Sequence, residues 1–311
     1  MKKYANLHSH STHSDGVYTP EELVRIAKDE GYMALAITDH DVATAYPELK
    51  AACDALGMES LFGCEFTGRS EEFKFEFHIT AYNFDPEYPE MKEYLRKCSE
   101  NTSHRTRLLF ERGREEGLIS KEVTWDDVLE YNKGITWLCN DHVFRTYLAR
   151  GLMKPLDYDN FFKTVYGARR REISDIYPKM QLPELLSLIK RAGGIALVAH
   201  PHDKLYAIPR LIELGISGLE VWHSTLTKEE VVEALKLARD HRLFVSGGSD
   251  HEGLIGGQYQ FYEHPEETQF WLPEGYAGTT KEFFDEIKTA TLMPNREEYI
   301  SKCIEDCNSG S

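Results

Sequence analysis

The apolar positions of this chain fall into strand-like and helix-like runs that alternate in two stretches. Near the N-terminus, Leu23, Ile26 and Ala27 share one helical face, and a short apolar run, Ala34, Leu35, Ala36, Ile37 and Thr38, follows them. The helix has strong start and stop signals. Thr19 is placed as N-cap, Pro20 at the first helical position, Glu22 reaches back to complete a capping box, and Gly31 ends it. A second helix is expected over 48–56, closed by Gly57, then a strand over 60–64, and the segment 3–7 reads as a first strand. The alternation returns at 195–199, 218–222 and 243–247, whose starts lie 23 and 25 residues apart, with Thr227 and Glu230 capping the helix between the last two. This repeat predicts a parallel α/β arrangement, most simply a barrel. One segment departs from it: Phe73, Phe75, Phe77 and Ile79 alternate with Lys74, Glu76, His78 and Thr80, a strand whose polar face carries His78.

Between 89 and 178 strand patterns give way to helical ones, at 91–116, 125–131, 142–149 and 160–166. The expected organisation is therefore a barrel built from 1–88 and 179–311, with a helical insertion over 89–178. Charge divides the same way. The whole chain of 311 residues has a formal net charge of −16, but the insertion holds 16 Lys and Arg against 15 Asp and Glu, leaving 20 against 37 for the rest. Ten of the 17 arginines lie in the insertion. The acid excess argues against a coat for long nucleic acid or an anionic membrane, both of which need a basic face. No apolar run approaches the ~20 residues of a membrane span, and the start, Met1, Lys2, Lys3, turns polar too soon for a signal peptide. Cys53, Cys64, Cys98, Cys139, Cys303 and Cys307 form no C-x-x-C pair. Reduced thiols in a cytoplasmic protein are the expectation.

Thirteen histidines are present, and many sit where strands end. His40, Glu65, His200, His223 and the Asp250, His251 pair each follow an expected strand, at the end where parallel barrels build their sites. His8 and His10 are two apart, so an extended chain puts both rings on one face, and Asp15 follows in a turn. A His, Asp and Glu set without thiolates suits a divalent metal such as Zn, Mn or Fe. About nine candidate ligands are too many for one ion and suit two or three sharing a carboxylate, for which Glu65 is the most central in order.

These residues resemble a known family. His8, His10, His13, Ser14, Asp15 and Gly16, then Thr38, Asp39, His40 and Asp41, then Gly63, Cys64 and Glu65, then Ala199, His200 and Pro201, then Gly248, Ser249, Asp250 and His251 are similar to the motifs of the PHP (polymerase and histidinol phosphatase) superfamily. The insertion resembles that of its branch acting on nucleoside 3′,5′-bisphosphates and short RNA ends, through Arg105, Thr106, Arg107, then His142, Val143, Phe144, Arg145, then Arg191, Ala192, Gly193 and Gly194. The resemblance implies a distorted seven-stranded barrel with up to three metals. His8, His10, Glu65 and Asp250 would hold the first, Glu65, His78 and His200 the second, and Asp15, His40 and a ligand near the last motif the third. That last ligand is His251 or Glu252, because Glu252 stands where the family usually shows His; His251 is the favoured choice.

The chemistry so implied is phosphoester hydrolysis, most directly of the 3′-phosphate of a nucleoside 3′,5′-bisphosphate. A hydroxide bridging metals held by Glu65 would attack phosphorus, with His223 close to the reacting atoms. Arg145, His223, Lys204 and one of Arg169, Arg170 or Arg171 are candidates to clamp the phosphate. His142 and Arg145 are three apart on one helical face, so their helix could cap the mouth as a specificity lid. The partner is then a small phosphorylated molecule. Rival readings are 5′-end trimming of short oligoribonucleotides by the same site, a histidinol phosphatase, a C–N hydrolase in an amidohydrolase-type barrel, and a non-catalytic metal-stabilised module.

Overall fold

Local signals and observed elements coincide at the first helix. In the structure, a computed structural model that describes residues 3–167, 178–223, 225–250 and 278–309, the Glu22 carboxylate accepts from the Thr19 N–H at 2.8 Å and the Thr19 hydroxyl accepts from the Glu22 N–H. This box opens α1 (Pro20–Asp29), which packs Leu23, Val24 and Ala27 on Leu35 and Ile37 of the next strand and on Leu49 and Cys53 of α2 (Tyr46–Leu56).

Seven strands join in chain order into one sheet: β1 (Ala5–Asn6), β2 (Ala34–Ile37), β3 (Glu59–Ser70), β4 (Phe75–Tyr82), β5 (Ile195–Val198), β6 (Gly218–Trp222) and β7 (Phe244–Gly247). The Leu7 N–H donates to the Gly247 carbonyl at 3.2 Å, which brings the last strand back to the first and nearly closes a barrel. The segment expected to depart from the parallel pattern is reversed. β4 runs antiparallel to both β3 and β5. A tight hairpin joins β3 to β4, so β3 continues to Ser70, well past the expected 60–64. Reversal needs only such a short connection, whereas a parallel neighbour needs a crossover.

Between β4 and β5 the chain is helical: α3 (Pro89–Glu115), α4 (Trp125–Tyr131), α5 (Asn140–Ala149) and α6 (Tyr158–Phe161), with Phe162–Gly167 continuing as wider π turns. Phe110, Trp125, Val143, Phe144, Tyr147 and Phe161 form a hydrophobic core of their own here, and Val17 of the barrel packs against it. Outside the barrel, α7 (Leu182–Arg191), α8 (Ile208–Leu214), α9 (Lys228–Asp240), α10 (Lys281–Thr289) and α11 (Arg296–Ser309) cover the sheet; the core beneath them includes Leu185, Ile208, Leu235, Phe283 and Ile300. None of the described helices is long and apolar enough to cross a membrane. All six cysteines are free thiols.

Candidate metal centre

The parallel strands deliver polar side chains at one rim. His8 and His10 follow β1, His40 follows β2, His200 follows β5, His223 follows β6 and Asp250 follows β7. Because β4 is reversed, its early residues lie at the rim where its neighbours end, and there His78 pairs in register with Thr67. Three non-glycine residues at this rim, Asp41, His200 and Asp250, have positive φ (52°, 30° and 52°). Such backbone is costly for residues with a Cβ and persists where the surroundings fix it, commonly at sites. Gly16 is required for a different reason: a Cβ there would lie 2.2 Å from the His10 carbonyl oxygen, so only glycine lets the Asp15 turn fold back on the strand end.

Glu65 lies at the centre with no exposed surface. Its Oε2 is 3.3 Å from His8 Nε2, 3.3 Å from His10 Nε2 and 3.1 Å from His40 Nδ1. Its Oε1 is 3.1 Å from both His78 Nδ1 and His200 Nε2. Asp250 stands opposite, 2.9 Å from His10 Nε2, 3.3 Å from His8 Nε2 and 3.5 Å from His223 Nε2. Asp15 lies 3.5 Å from His10 Nδ1 and 3.4 Å from His40 Nε2. The candidate ligands His8, His10, Asp15, His40, Glu65, His78, His200 and Asp250 thus converge. His251, Glu252 and the arginines 169–171 lie outside the described residues.

The donor set fits divalent cations. Potential ligand atoms fall into groups spanning no more than 4.8 Å: His8, His10, Glu65 and Asp250; His10, Asp15 and His40; His40, Glu65 and His78; His8, Glu220 and His223. Within this cluster His8 Nε2, His10 Nδ1, Glu65 Oε2 and His223 Nε2 are buried without a hydrogen-bond partner. Buried polar atoms are rarely left so, and a cation among them would satisfy several at once. Protons otherwise do part of that work. Burial opposes charge on the Glu65 carboxyl, but His8, His40 and His78 hold it well below the usual carboxylate range. Burial likewise opposes charge on His8, yet Asp250, Glu220 and Glu65 raise it well above an ordinary histidine, and His10 is raised too. His40 is lowered, chiefly by burial.

Sequence reading missed Glu220. It is buried inside β6, where its two oxygens lie 3.2 and 3.1 Å from His8 Nδ1, and it accepts from the His200 N–H at 2.8 Å. A lone charge in the buried run Gly218–Trp222 was the signal available. Asp39 accepts from the Ser11 N–H and from the Ser11 and Ser14 hydroxyls and so shapes the turn before Asp15. Asp41 accepts from the Thr67 N–H and from Lys179, a pairing that no sequence pattern announced. His13 reaches Thr44 and Glu48, and stands apart from the ligand groups.

Beside the cluster, a cavity of about 310 Å³ opens between the barrel rim and the insertion, lined among others by His40, His78, Arg105, Trp137, Tyr158 and Lys179. The expected phosphate contacts are distributed differently. His223 is buried and meets Asp250. Lys204 lies over the Phe75 ring, 5.2 Å from its centroid. His142 and Arg145 do share a face of α5, but that face packs on the Thr12–Gly16 turn and not on the cavity. His142 Nδ1 accepts from the Cys139 N–H at 3.0 Å, and Nε2 lies 3.0 Å from the Thr12 carbonyl, so this ring is a neutral, buried tie. Burial, then Arg145, hold its pKa well below that of a free histidine. The Arg145 guanidinium donates to the Gly16 and Ser14 carbonyls. Helical spacing fixed which residues share the face; the packing of α5 decided what that face meets.

The PHP domain family matches residues 6–165, about half of the chain. The chain belongs to the PHP family. Among PHP relatives, a 5′-3′ exoribonuclease of Haemophilus influenzae is 31% identical over 268 residues, covering 80% of this chain and 90% of that one. The 3′,5′-nucleoside bisphosphate phosphatase of Chromobacterium violaceum is 27% identical over 264 residues (81% and 89%). A phosphoribosyl 1,2-cyclic phosphate 1,2-diphosphodiesterase of Eggerthella lenta is 25% identical over 256 residues (81% and 95%). A crystal structure from Bifidobacterium adolescentis, assigned as a metal-dependent phosphoesterase, superposes with a TM-score of 0.68 at 25% identity, covering 94% of this chain and 98% of that one. This PHP protein is accordingly a metal-dependent hydrolase of phosphate esters.

Proposed function

We propose that the protein removes a phosphate from a small nucleotide, most directly the 3′-phosphate of a nucleoside 3′,5′-bisphosphate, with two or three Mn, Fe or Zn ions at the Glu65 cluster. His8, His10, Glu65 and Asp250 are assigned to one ion, Glu65, His78 and His200 to a second, and Asp15 and His40 to a third. The observation that carries the reading is the cluster of unpartnered buried ligand atoms beside a cavity of about 310 Å³ that holds Arg105 and Lys179 together with Trp137 and Tyr158. That volume lies at the small end of ligand pockets and suits a nucleotide better than structured RNA. Divalent cations bound there supply an acidified water and positive charge for the phosphoryl oxygens. The chain's own part is to fix the ligand atoms, exclude bulk water from Glu65, and offer cationic and aromatic side chains to the leaving nucleoside. The name of the Chromobacterium relative supports this substrate, and that of the Haemophilus relative supports a second reading, 5′-end trimming of a short oligoribonucleotide.

One assay set separates these. With Mn2+ loaded, phosphate release is followed from a nucleoside 3′,5′-bisphosphate, a mononucleotide, histidinol phosphate and a phosphoribosyl 1,2-cyclic phosphate, and release of nucleoside 5′-monophosphate from a short 5′-phosphorylated RNA. The bisphosphate is expected to give the highest kcat/KM. A higher value on RNA moves the assignment to the second reading, and no release from any of them with metal bound would defeat both. Glu65→Gln is expected to lose bound metal and activity together.

A further inference from the structure

We propose that α5 of the insertion is a positioning element for the Asp15 cation site: Cys139, His142 and Arg145 hold the turn that carries Asp15 and so set the affinity for one particular cation. This rests on the metal reading above and adds a division of labour within it. His8, Glu65, His78, His200 and Asp250 lie in or directly beyond sheet strands, so barrel hydrogen bonds place them. Asp15 is different. It sits in an irregular turn nine residues beyond the end of β1. Asp39 holds the serines before it. The turn's carbonyls are held from the insertion: Thr12 O by His142 Nε2 at 3.0 Å, Ser14 O by Arg145 at 3.4 Å and by the Cys139 thiol at 3.9 Å, and Gly16 O by Arg145 again. Positions 139, 142 and 145 are spaced by three, so one helical face makes all four contacts. Val17, next in the chain, is packed into the insertion's own core. The other partly buried member of this group, His40, is flanked in the same way: Val42, two residues on, forms a small buried cluster with Trp137 and Cys139.

Both loops that complete the His10, Asp15 and His40 group are therefore gripped by the insertion. The His8, His10, Glu65 and Asp250 group is not. Any displacement of α5 moves Asp15 relative to His10 and leaves the barrel ligands where the sheet puts them. Because a carboxylate ligand tolerates little misplacement, losing such a supporting contact costs typically ~10–100-fold in metal affinity.

The test uses the full-length, metal-stripped protein, titrated with Mn2+ by calorimetry and with bound metal counted after dialysis. Asp15→Asn is expected to weaken one Mn2+ equivalent. Arg145→Ala is expected to weaken the same equivalent by at least about tenfold while the remaining ones stay within twofold of wild type, and the double variant is expected to lose nothing more from that equivalent than Asp15→Asn alone. Arg145→Lys, which keeps one donor and perturbs folding less, is expected to fall between. At saturating Mn2+, Arg145→Ala should recover KM for the bisphosphate. A KM that stays raised with all sites full would make Arg145 a substrate contact and overturn the proposal. So would Mn2+ binding by Arg145→Ala and Arg145→Lys indistinguishable from wild type, or an Asp15→Asn variant that loses no equivalent. A wild-type protein that binds no Mn2+ would defeat the metal reading itself, a separate and recognisable failure.

Discussion

Glu220 faces the Nδ1 side of His8 and accepts from the backbone of His200, so it determines which imidazole nitrogen is left for Glu65 and Asp250. Removing its charge while keeping its shape should loosen two ligands at once. Glu220→Gln is expected to weaken cation binding about 10–100-fold, measured by Mn2+ titration, and an unchanged affinity would show that His8 needs no such partner. Asp141 offers a second test at this scale. Burial first, then the nearby Asp15, raise its carboxyl to about 6, with Tyr158 opposing. A carboxyl raised above its unfolded value favours folding when protonated, so its contribution is present in acid and is lost as pH rises from about 4 through 6. In metal-free protein, the melting temperature of Asp141→Asn relative to wild type should therefore rise between pH 4 and pH 7, by a few degrees, roughly 2–4 °C per kcal/mol recovered. A difference flat across that window would remove the argument. Neither residue was visible as a site in sequence. Glu220 is a charge hidden in an apolar strand, and Asp141 becomes unusual only because folding buries it near Asp15.

At the scale of elements, the sequence placed six of the strands and the capped helices well, because apolar period and cap residues act locally. The orientation of β4 was not legible. Alternation of Phe75, Phe77 and Ile79 with polar residues says strand, but direction depends on which neighbours complete its hydrogen bonds. That direction is what carries His78 to the rim. The insertion follows the same logic. Its helices could be read from the chain, whereas the partner of each face could not. Phe144 is fully buried in the insertion's core, on the opposite side of α5 from the ties to Asp15. Phe144→Ala is expected to cost about 3–5 kcal/mol in urea unfolding; a loss below about 1 kcal/mol would mean that the insertion is far less tightly packed than its burial indicates.

For the whole molecule, a small part of the net charge of −16 has a local explanation. Glu65, Asp250, Asp15 and Glu220 crowd the rim, compensated in the cation-free state by protons on His8 and His10. A cation must displace those protons, so affinity should rise with pH across the neutral range. Cation at about 100 times its Kd stabilises the folded state by about 2.7 kcal/mol. Mn2+ is thus expected to raise the melting temperature and a chelator to reverse it, with a larger rise at pH 8 than at pH 6. Equal shifts at both pH values would contradict the protonation states argued above. The acid excess still opposes long polyanions, and because Asp15, Asp41, Glu76 and Asp141 line the cavity beside Arg105 and Lys179, attraction for a small phosphate would depend on bound cations.

The chain's linear order was enough to name the family, the barrel class and eight converging ligand candidates, because most of them lie in, or within three residues of the end of, a strand whose apolar run is local. Tertiary structure alone decided the direction of β4, the role of Glu220 and the partners of His142 and Arg145. The contacts of Glu220 with His8 and of His142 and Arg145 with the Thr12–Gly16 turn join residues 129 to 212 apart in the chain, and periodicity records only that a face exists, never what is packed against it.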